Sequence, residues 1–424
     1  MRAPCIAATH QECKVVKTSA VAMALWFVLV FFASENKPST PQAMPGRADV
    51  YCSAPVGSGA EGGADVSSVT VVVRHGARSG ISAENHDWSC ALGPLKQQLA
   101  RWEAASGTSL TPETDNGKCI KGQLVARGFR QHRHLGAFLR SKYGGAQWAV
   151  TTRSTNYQRT KASASAFLEG FFGGRVPRDA WPRWREHADE EAMFGVEGED
   201  GKGLRCEKAA AGATRQREAW APDPERADAV ASIEGAAANP TDLADVAYSR
   251  HCEHTGCLKD TSGRCVTSAQ AEALFQLADL FYYGRYTGGD GGRDASKLGM
   301  HPFLTELLEN FRSDVAAPSG QRRLRLYAGH DTVIAPLLST LGVFDGRWPP
   351  LASRIVFELR GANLRILFNG RDVSGDVCPG AAAADDLDGG PPASRAGGCP
   401  LAAFEARVAA LLGGAASFDE ACGN

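Results

Sequence analysis

The chain has 424 residues, with 46 Lys and Arg against 47 Asp and Glu and a formal net charge of −1. That length predicts one large domain with an insertion, or two domains, and the balanced charge leaves no basic excess for a nucleic-acid partner. A hydrophobic fraction of 43% supports a globular core. The sequence contains only one long apolar run, which excludes a multi-span membrane protein.

The first predicted element is an apolar segment near the N-terminus. The uncharged residues 18–34 would span about 25 Å as a helix, which suits a thin early-secretory bilayer. Arg2, Lys14 and Lys17 precede this run, which predicts a cytosolic tail over 1–17. Small residues at the end of the run also allow cleavage as a signal peptide. With either a signal anchor or a signal peptide, the rest of the chain is expected in the secretory lumen.

The next residues, 35–65, are rich in Pro, Gly and Ala and predict a flexible stem. Ten of the 12 cysteines follow the apolar run, and an even number suits disulfides in an oxidising compartment. The close trio Cys252, Cys257 and Cys265 is expected to hold a local bridge. A zinc site over 251–257 is a weaker alternative, because no second cluster completes a tetrahedral site.

Strands and helices alternate in the remaining domain, expected over 66–424. Runs of β-branched residues predict buried strands, and apolar residues at helical spacing predict helices. The predicted strands are 69–73, 148–152, 324–328, and a late hairpin of 355–359 and 364–368. The predicted helices are 129–143, 162–172, 271–283, 302–311 and 333–341.

This alternation predicts an α/β fold, a three-layer sandwich with a mostly parallel central sheet. A charged stretch over about 174–262 has weak periodicity and predicts an inserted, mainly helical cap. Pro302 is expected in the first turn of its helix, where proline is tolerated.

Chemically reactive side chains directly follow three of the predicted strands. In an open α/β sheet, ligands bind beyond the carboxyl ends of the strands, so these side chains are expected to meet at one site. A guanidinium group can donate two parallel hydrogen bonds to two oxygens of a phosphate. An imidazole as nucleophile with a carboxyl as proton donor suits covalent phosphoryl transfer. The side chains are Arg74, His75, Arg78, Arg153, His330 and Asp331.

The same residues resemble a known family. Residues 74–80, Arg-His-Gly-Ala-Arg-Ser-Gly, are similar to the Arg-His-Gly-x-Arg-x-Pro signature of the histidine acid phosphatases (histidine phosphatase superfamily, branch 2). Residues 329–332 resemble the distal His-Asp motif of that family. One departure is Gly80, which stands where the family has proline and predicts a looser loop after Arg78. Further resemblance lies in 122–136, 153–160 and 348–359.

The resemblance implies a metal-independent phosphomonoesterase that needs no cofactor and forms a phosphohistidine intermediate. It implies that His75 is the nucleophile and Asp331 the proton donor. A protonated Asp is scarce at neutral pH, since its reference pKa is about 3.9, so we expect an acidic optimum unless burial raises that value. The implied phosphate-binding residues are Arg74, Arg78, Arg153 and His330.

Within the family, residues 364–373 and 399–401 look most similar to the 2-phosphoxylose phosphatases. That similarity implies a Golgi enzyme with one N-terminal membrane anchor and a phosphorylated glycan as substrate, the xylose of the glycosaminoglycan linker. One alternative is a broad-specificity acid phosphatase or phytase of the same fold. Another is a catalytically silent lumenal protein that binds phosphorylated glycans or inositol phosphates, against which the intact His75 and Asp331 count. The sequence does not predict an oligomeric state.

Overall fold

The structure is a computed structural model that describes most of the chain beyond residue 46. The expected cytosolic tail and the apolar segment 18–34 lie outside the described residues. In the part that is described, no helix combines the length and the apolar character needed to cross a membrane. The described residues are 47–57, 61–63, 65–81, 93–107, 110, 119–144, 148–177, 180, 193, 206–317, 321–379 and 398–423.

A seven-stranded sheet organises the described part of the chain. Its strands are β1 (Ser68–Arg74), β2 (Trp148–Ser154), β3 (Arg322–Gly329), β4 (Arg354–Arg360), β5 (Asn363–Phe368), β6 (Arg371–Asp372) and β7 (Cys399–Pro400). The order is β2-β3-β1-β4-β5-β6, with β7 beside β5. β2, β3 and β1 run parallel to one another, and the predicted hairpin β4–β5 extends the sheet antiparallel to β1.

Helices cover both faces of this sheet. They are α1 (Arg47–Tyr51), α2 (Gly93–Ser106), α3 (Ala126–Tyr143), α4 (Gln158–Phe172), α5 (Glu207–Ala219), α6 (Pro224–Ala229), α7 (Pro240–Glu253), α8 (Ser268–Thr287), α9 (Gly289–Ala316), α10 (Asp331–Thr340), α11 (Ser374–Val377), α12 (Leu401–Ala410) and α13 (Phe418–Cys422). Side chains alternate along β1: Val71 joins the core formed with Leu135 of α3, and Val72 joins the core formed with Phe303 of α9. The predicted α/β sandwich is confirmed.

One helix is longer than the sequence predicted. α9 begins at Gly289, so Pro302 lies inside the helix and not in its first turn. The glycines near the start of α9 serve a close approach between helices. A Cβ on Gly291 would lie 2.6 Å from the carbonyl oxygen of Gly212 on α5. The glycines therefore let α9 pack against α5, and the expected start near Pro302 is wrong.

The stem predicted over 35–65 is also wrong for its second half. Tyr51 and Cys52 are almost fully buried, and Glu61 forms an ion pair with Arg354 at a fully buried position. The Pro- and Gly-rich composition hides these residues, because their partners lie hundreds of residues away in sequence. The folded domain therefore includes the described residues from 47 onward.

Four disulfides join described cysteines. The predicted local bridge is present as Cys257–Cys265. Cys252 pairs with Cys52, so neither it nor Cys257 offers a free thiolate, and the zinc alternative is wrong. The described part of the predicted cap contains α5, α6 and α7, and two of the bridges tie it to the rest of the domain. The remaining bridges are Cys206–Cys422 and Cys378–Cys399.

Candidate active site

The carboxyl ends of β1 and β3 bring the two predicted imidazoles together. The backbone N–H of His75 donates to the carbonyl of Gly329 at 2.9 Å, which ties the residue after β1 to the last residue of β3. The ring centroids of His75 and His330 lie 5.5 Å apart, with their planes inclined by 69°. Both side chains are buried. Two segments that are far apart in sequence thus share one site.

A close approach of two backbones shapes the turn after β1. A Cβ on Gly76 would lie 2.4 Å from the carbonyl oxygen of Gly128 on α3, and one on Gly128 would lie 2.2 Å from the carbonyl oxygen of Ala77. Neither position has room for a side chain. The backbone N–H of Ala77 donates to Gln131 Oε1 at 2.8 Å. The start of α3 therefore fixes the turn that presents His75.

The ring of His75 keeps one nitrogen without a proton. Its Nδ1 lies 2.9 Å from the carbonyl oxygen of Gly76, and because a carbonyl only accepts, Nδ1 carries the proton and Nε2 keeps its lone pair. Arg78 Nε lies 3.4 Å from Nε2. Burial first, and then the guanidiniums of Arg78 and Arg159, lower the pKa of His75 well below its ordinary value. The imidazole therefore stays neutral in mildly acidic solution.

His330 is neutral for the same reasons. Its Nδ1 lies 3.3 Å from Arg159 Nη2, and its Nε2 lies 2.8 Å from Thr155 Oγ1. A guanidinium only donates, so Nδ1 accepts and Nε2 carries the proton. Burial first, and then Arg159, lower the pKa of His330 well below its ordinary value. The positive charge of the site therefore comes from its arginines.

Arg74 and Asp331 form a buried ion pair beside the imidazoles. Arg74 Nη2 lies 3.2 Å from Asp331 Oδ2 and donates to the hydroxyl of Tyr51 at 2.6 Å. Burial by itself favours the neutral carboxyl of Asp331. The Arg74 guanidinium and the hydrogen bond from Trp348 nevertheless help to outweigh burial, and the pKa of Asp331 lies well below its usual range. The net shift of this pKa is thus downward, and Asp331 is ionised at pH 5.

Arg78 is paired with a carboxylate from the predicted cap. Its Nη1 and Nη2 lie 3.0 and 2.6 Å from the two carboxylate oxygens of Asp245 on α7. The same carboxylate accepts from the backbone N–H of Ile81 at 3.1 Å, and the N–H of Gly122 donates to the carbonyl of Gly80 at 3.0 Å. These bonds connect the loop after Arg78 to α7 and to the segment that precedes α3.

One face of α7 forms a fixed wall of the site. Asp245, Tyr248 and Cys252 follow one another at spacings of three and four residues, which places them on the same side of a helix. Asp245 binds Arg78, and Tyr248 stacks on Tyr51 with ring centroids 3.8 Å apart. Cys252 forms a disulfide with Cys52, the residue after Tyr51. The cap helix is therefore attached to the site by a charge pair, a ring stack and a covalent bond.

The structure separates Arg153 from this group and puts Arg159 there instead. Arg153 Nη1 lies 2.5 Å from Glu306 Oε2 on α9. Its cross-strand partner Tyr327 donates to the same Glu306 at 2.8 Å, so strand alternation directs both side chains toward α9. The expected place of Arg153 in the site is corrected on this ground. Arg159, in the first turn of α4, lies against His330.

The described site has an excess of positive charge. Asp331 and Asp245 pair with Arg74 and Arg78, whereas Arg159 has no carboxylate partner in the described part of the chain. Burial first, and then Arg78, lower the pKa of Arg159 to about 9, as expected for a buried cation among cations. Three guanidiniums and two carboxylates leave one positive charge, which a singly charged oxyanion would balance.

Two guanidinium N–H groups also lack an acceptor. The Nε atoms of Arg74 and Arg159 are buried without a hydrogen-bond partner among the described residues. An unpaired buried donor costs about 1–3 kcal/mol, and more when the group is charged. An oxyanion that accepts from these donors is therefore stabilised in this site.

Sequence reasoning found the residues that directly follow β1 and β3 and missed several groups that contact them. Arg159 carried a signal, because it lies in the segment 153–160 that resembles the family. Asp245 carried none, since the cap sequence has weak periodicity and no motif. The missed residues are Tyr51, Arg159, Asp245, Tyr282 and Trp348.

The fold and the site define an α/β sandwich with a cationic, imidazole-containing site at the carboxyl ends of its parallel strands. A family model described as the histidine phosphatase superfamily (branch 2) matches residues 65–363. The chain belongs to that superfamily, which confirms the family predicted from the sequence.

Curated relatives match shorter stretches. The 2-phosphoxylose phosphatase 1 of Mus musculus is 32% identical over 132 residues, which cover 29% of this chain and 25% of that protein. The lysophosphatidic acid phosphatase type 6 of Bos taurus is 43% identical over 70 residues, 16% of each chain. The chain thus matches about a quarter or less of the length of these relatives.

Among solved structures, the apo form of the Hafnia Alvei phytase resembles this chain with a TM-score of 0.51 and 14% identity. The likeness covers 82% of this chain and 97% of the phytase. At that identity it shows the fold alone, and it agrees with the α/β sandwich described above.

Proposed function

We propose that this protein is a phosphomonoesterase that transfers the phosphoryl group of its substrate to His75. The observation that carries the proposal is the unprotonated Nε2 of His75 inside a buried cationic site. An imidazole with a free lone pair is a nucleophile, and guanidiniums neutralise charge on phosphoryl oxygens in the transition state. Membership of the histidine phosphatase superfamily supports the same activity. The proposed phosphate-binding groups are Arg74, Arg78, Arg159 and His330.

The reaction has two steps. First, Nε2 of His75 attacks phosphorus, an N–P bond forms, and the P–O bond to the leaving group breaks. Asp331 gives a proton to the leaving alkoxide, so the product leaves as an alcohol. Then water attacks the phosphohistidine, Asp331 takes a proton from that water, and the N–P bond breaks to release inorganic phosphate.

The proton for the first step arrives with the substrate. Asp331 is ionised in the protein alone, whereas a phosphomonoester has a second pKa of about 6 and carries one proton at pH 5. Bound phosphoryl oxygens would also interact with the Arg74 guanidinium, which then stabilises the Asp331 carboxylate less, so the pKa of Asp331 rises. The proton therefore moves from the phosphoryl group to Asp331 and on to the leaving group.

This route predicts a particular pH dependence. We expect kcat/KM to fall above about pH 6, where the free substrate becomes a dianion, and to stay constant from about pH 6 down to about pH 5, because the lowered pKa keeps His75 neutral there. The measurement is kcat/KM from pH 4 to 8 with two phosphomonoesters that differ in their second pKa. The midpoint of the alkaline limb should shift with the second pKa of the substrate. A loss on the acid side centred near pH 6.5 would show that His75 titrates there and would contradict the prediction.

We propose a phosphorylated sugar as substrate, with 2-phosphoxylose in a glycosaminoglycan linker as the first candidate. The match to 2-phosphoxylose phosphatase 1 supports this choice. The four disulfides support an oxidising compartment, so we place the enzyme in the secretory pathway, in the Golgi lumen behind the anchor proposed at 18–34, or secreted if that segment is cleaved. The proposed cap over about 174–262 would set the choice of substrate.

A substrate panel tests this assignment. Phosphoxylosyl oligosaccharide is compared with inositol hexakisphosphate, lysophosphatidic acid and a sugar monophosphate, and we expect its kcat/KM to exceed each of the others by about tenfold or more. Such a difference corresponds to about 1.4 kcal/mol of transition-state binding. Similar values for all four would instead support a broad acid phosphatase, and a preference for the inositol phosphate would support a phytase. No release of phosphate from an aryl phosphate at pH 5 would support the silent binding protein.

A further inference from the structure

Asp331 is held by two donors that the mechanism above does not use. The hydroxyl of Tyr282 on α8 donates to Oδ2 at 3.0 Å, and the indole Nε1 of Trp348 donates to the same oxygen at 2.5 Å. Arg74 Nη2 lies 3.2 Å from Oδ2 as well. The other oxygen, Oδ1, accepts from the backbone N–H of Thr332 at 3.0 Å. The two oxygens of this carboxylate are therefore not equivalent.

The two side-chain donors are themselves fixed by one helix. The rings of Tyr282 and Trp348 stack with centroids 4.9 Å apart and planes inclined by 22°. The backbone N–H of Trp348 donates to Oδ1 of Asp279, which lies one turn before Tyr282 on α8. Both rings are buried. This packing holds each donor in one direction, so their convergence on Oδ2 is a property of the fold.

We propose that Tyr282 and Trp348 are positioning residues that reserve Oδ2 for hydrogen bonds and leave Oδ1 as the atom that exchanges the proton. The inference rests on the phosphatase mechanism proposed above. A carboxylate oxygen has two lone pairs, so the two hydrogen bonds to Oδ2, beside the Arg74 guanidinium, leave no place for a proton. Oδ1, with one backbone donor, has a lone pair to spare. The orientation of the carboxyl, and the oxygen that meets the leaving group, are thus set from α8.

Other charged and titratable groups also face Asp331, and a test has to leave the charged ones in place. Trp348 carries no charge, and replacing it with phenylalanine removes one N–H donor and keeps an aromatic ring. Tyr282→Phe removes a single oxygen and keeps the stacked ring. The charged and titratable groups that face Asp331 are Arg74, Arg78, His330, Arg159, Tyr51, Tyr282 and Tyr286.

The experiment compares Trp348→Phe and Tyr282→Phe with the wild type. Each lost donor weakens stabilisation of the ionised carboxylate, so we expect the alkaline limb of kcat to move up by about one pH unit. The alkaline limb of kcat/KM reports the free substrate and should stay in place. In both variants Oδ1 should also point less accurately at the leaving group. We therefore expect kcat to fall about tenfold further for an alkyl phosphate than for an aryl phosphate, whose leaving group needs little protonation. Tyr283→Phe, which removes an exposed hydroxyl from the neighbouring position of α8, is the control and should change neither quantity.

Asp331→Asn separates this inference from the mechanism on which it rests. If that variant slows alkyl and aryl phosphates equally, the proton-donor role fails and the positioning role fails with it. If it slows alkyl phosphates selectively while both phenylalanine variants keep the wild-type limb and leaving-group preference, only the positioning inference is overturned. Thermal unfolding of each variant shows whether it is folded. If Trp348→Phe does not fold, Tyr282→Phe alone decides the question.

Discussion

Replacing His75 with alanine is expected to lower kcat by about 10⁴-fold or more, which corresponds to about 5.5 kcal/mol of transition-state stabilisation. The physical reason is the loss of the nucleophile, the Nε2 lone pair, which is unprotonated because Nδ1 of His75 carries the proton and donates to the carbonyl of Gly76. We expect no substitution by His330, because its Nε2 carries the proton and its ring lies 5.5 Å from that of His75, away from a phosphorus aligned with His75. The measurement is kcat on an aryl phosphate at pH 5.

A matched control and a trapping experiment make this result specific. His301→Ala changes a half-buried histidine that stacks on Phe418, and its kcat should stay within about threefold of the wild type. Rapid quenching into base with labelled substrate should trap a phosphohistidine in the wild type and none in His75→Ala. A folded His75→Ala protein that keeps more than a few per cent of wild-type kcat would remove His75 as the nucleophile.

The part of the site that could be predicted from sequence is the part that follows the sheet directly. His75 and His330 come right after buried strands, and hydrophobic runs such as 69–73 mark those strands locally. Once the strands are known to be parallel neighbours, topology alone brings their carboxyl ends together. The apolar spacing placed four of its five predicted helices within four residues of the observed ends. It failed at the start of α9, where glycines packed against α5 have the composition of a loop.

The parts that could not be predicted depend on side-chain direction and on distant partners. Arg153 and Arg159 lie in one segment, and only the register of β2 against β3 shows that Arg153 turns toward Glu306. Asp245 and Tyr51 reach the site from other regions of the chain, and no local pattern encodes such contacts. For Tyr51 the composition predicted a flexible stem instead of a buried residue, because Tyr51 lies in a Pro- and Gly-rich stretch.

The corrected arginine leads to the second large effect that we expect. Arg159→Ala should lower kcat/KM by about 10²–10³-fold, a loss typical of removing one preorganised donor to a transition-state oxyanion. Its guanidinium lies 3.3 Å from His330 and has no carboxylate partner among the described residues, so its charge is available to the phosphoryl group. The measurement is kcat/KM on an aryl phosphate, together with the inhibition constant of inorganic phosphate, which should rise in parallel.

Arg153→Ala is the matched control, because it removes the same side chain from the same segment. Its guanidinium is neutralised by Glu306, so we expect kcat/KM and phosphate inhibition to stay within about threefold of the wild type. Stability should respond in the opposite order. Removing a buried cation without a counterion relieves a desolvation cost, so Arg159→Ala should unfold at the wild-type temperature or above it, whereas Arg153→Ala should unfold somewhat earlier. Equal catalytic losses in the two variants, or a loss confined to Arg153→Ala, would overturn the assignment of Arg159 to the phosphate site.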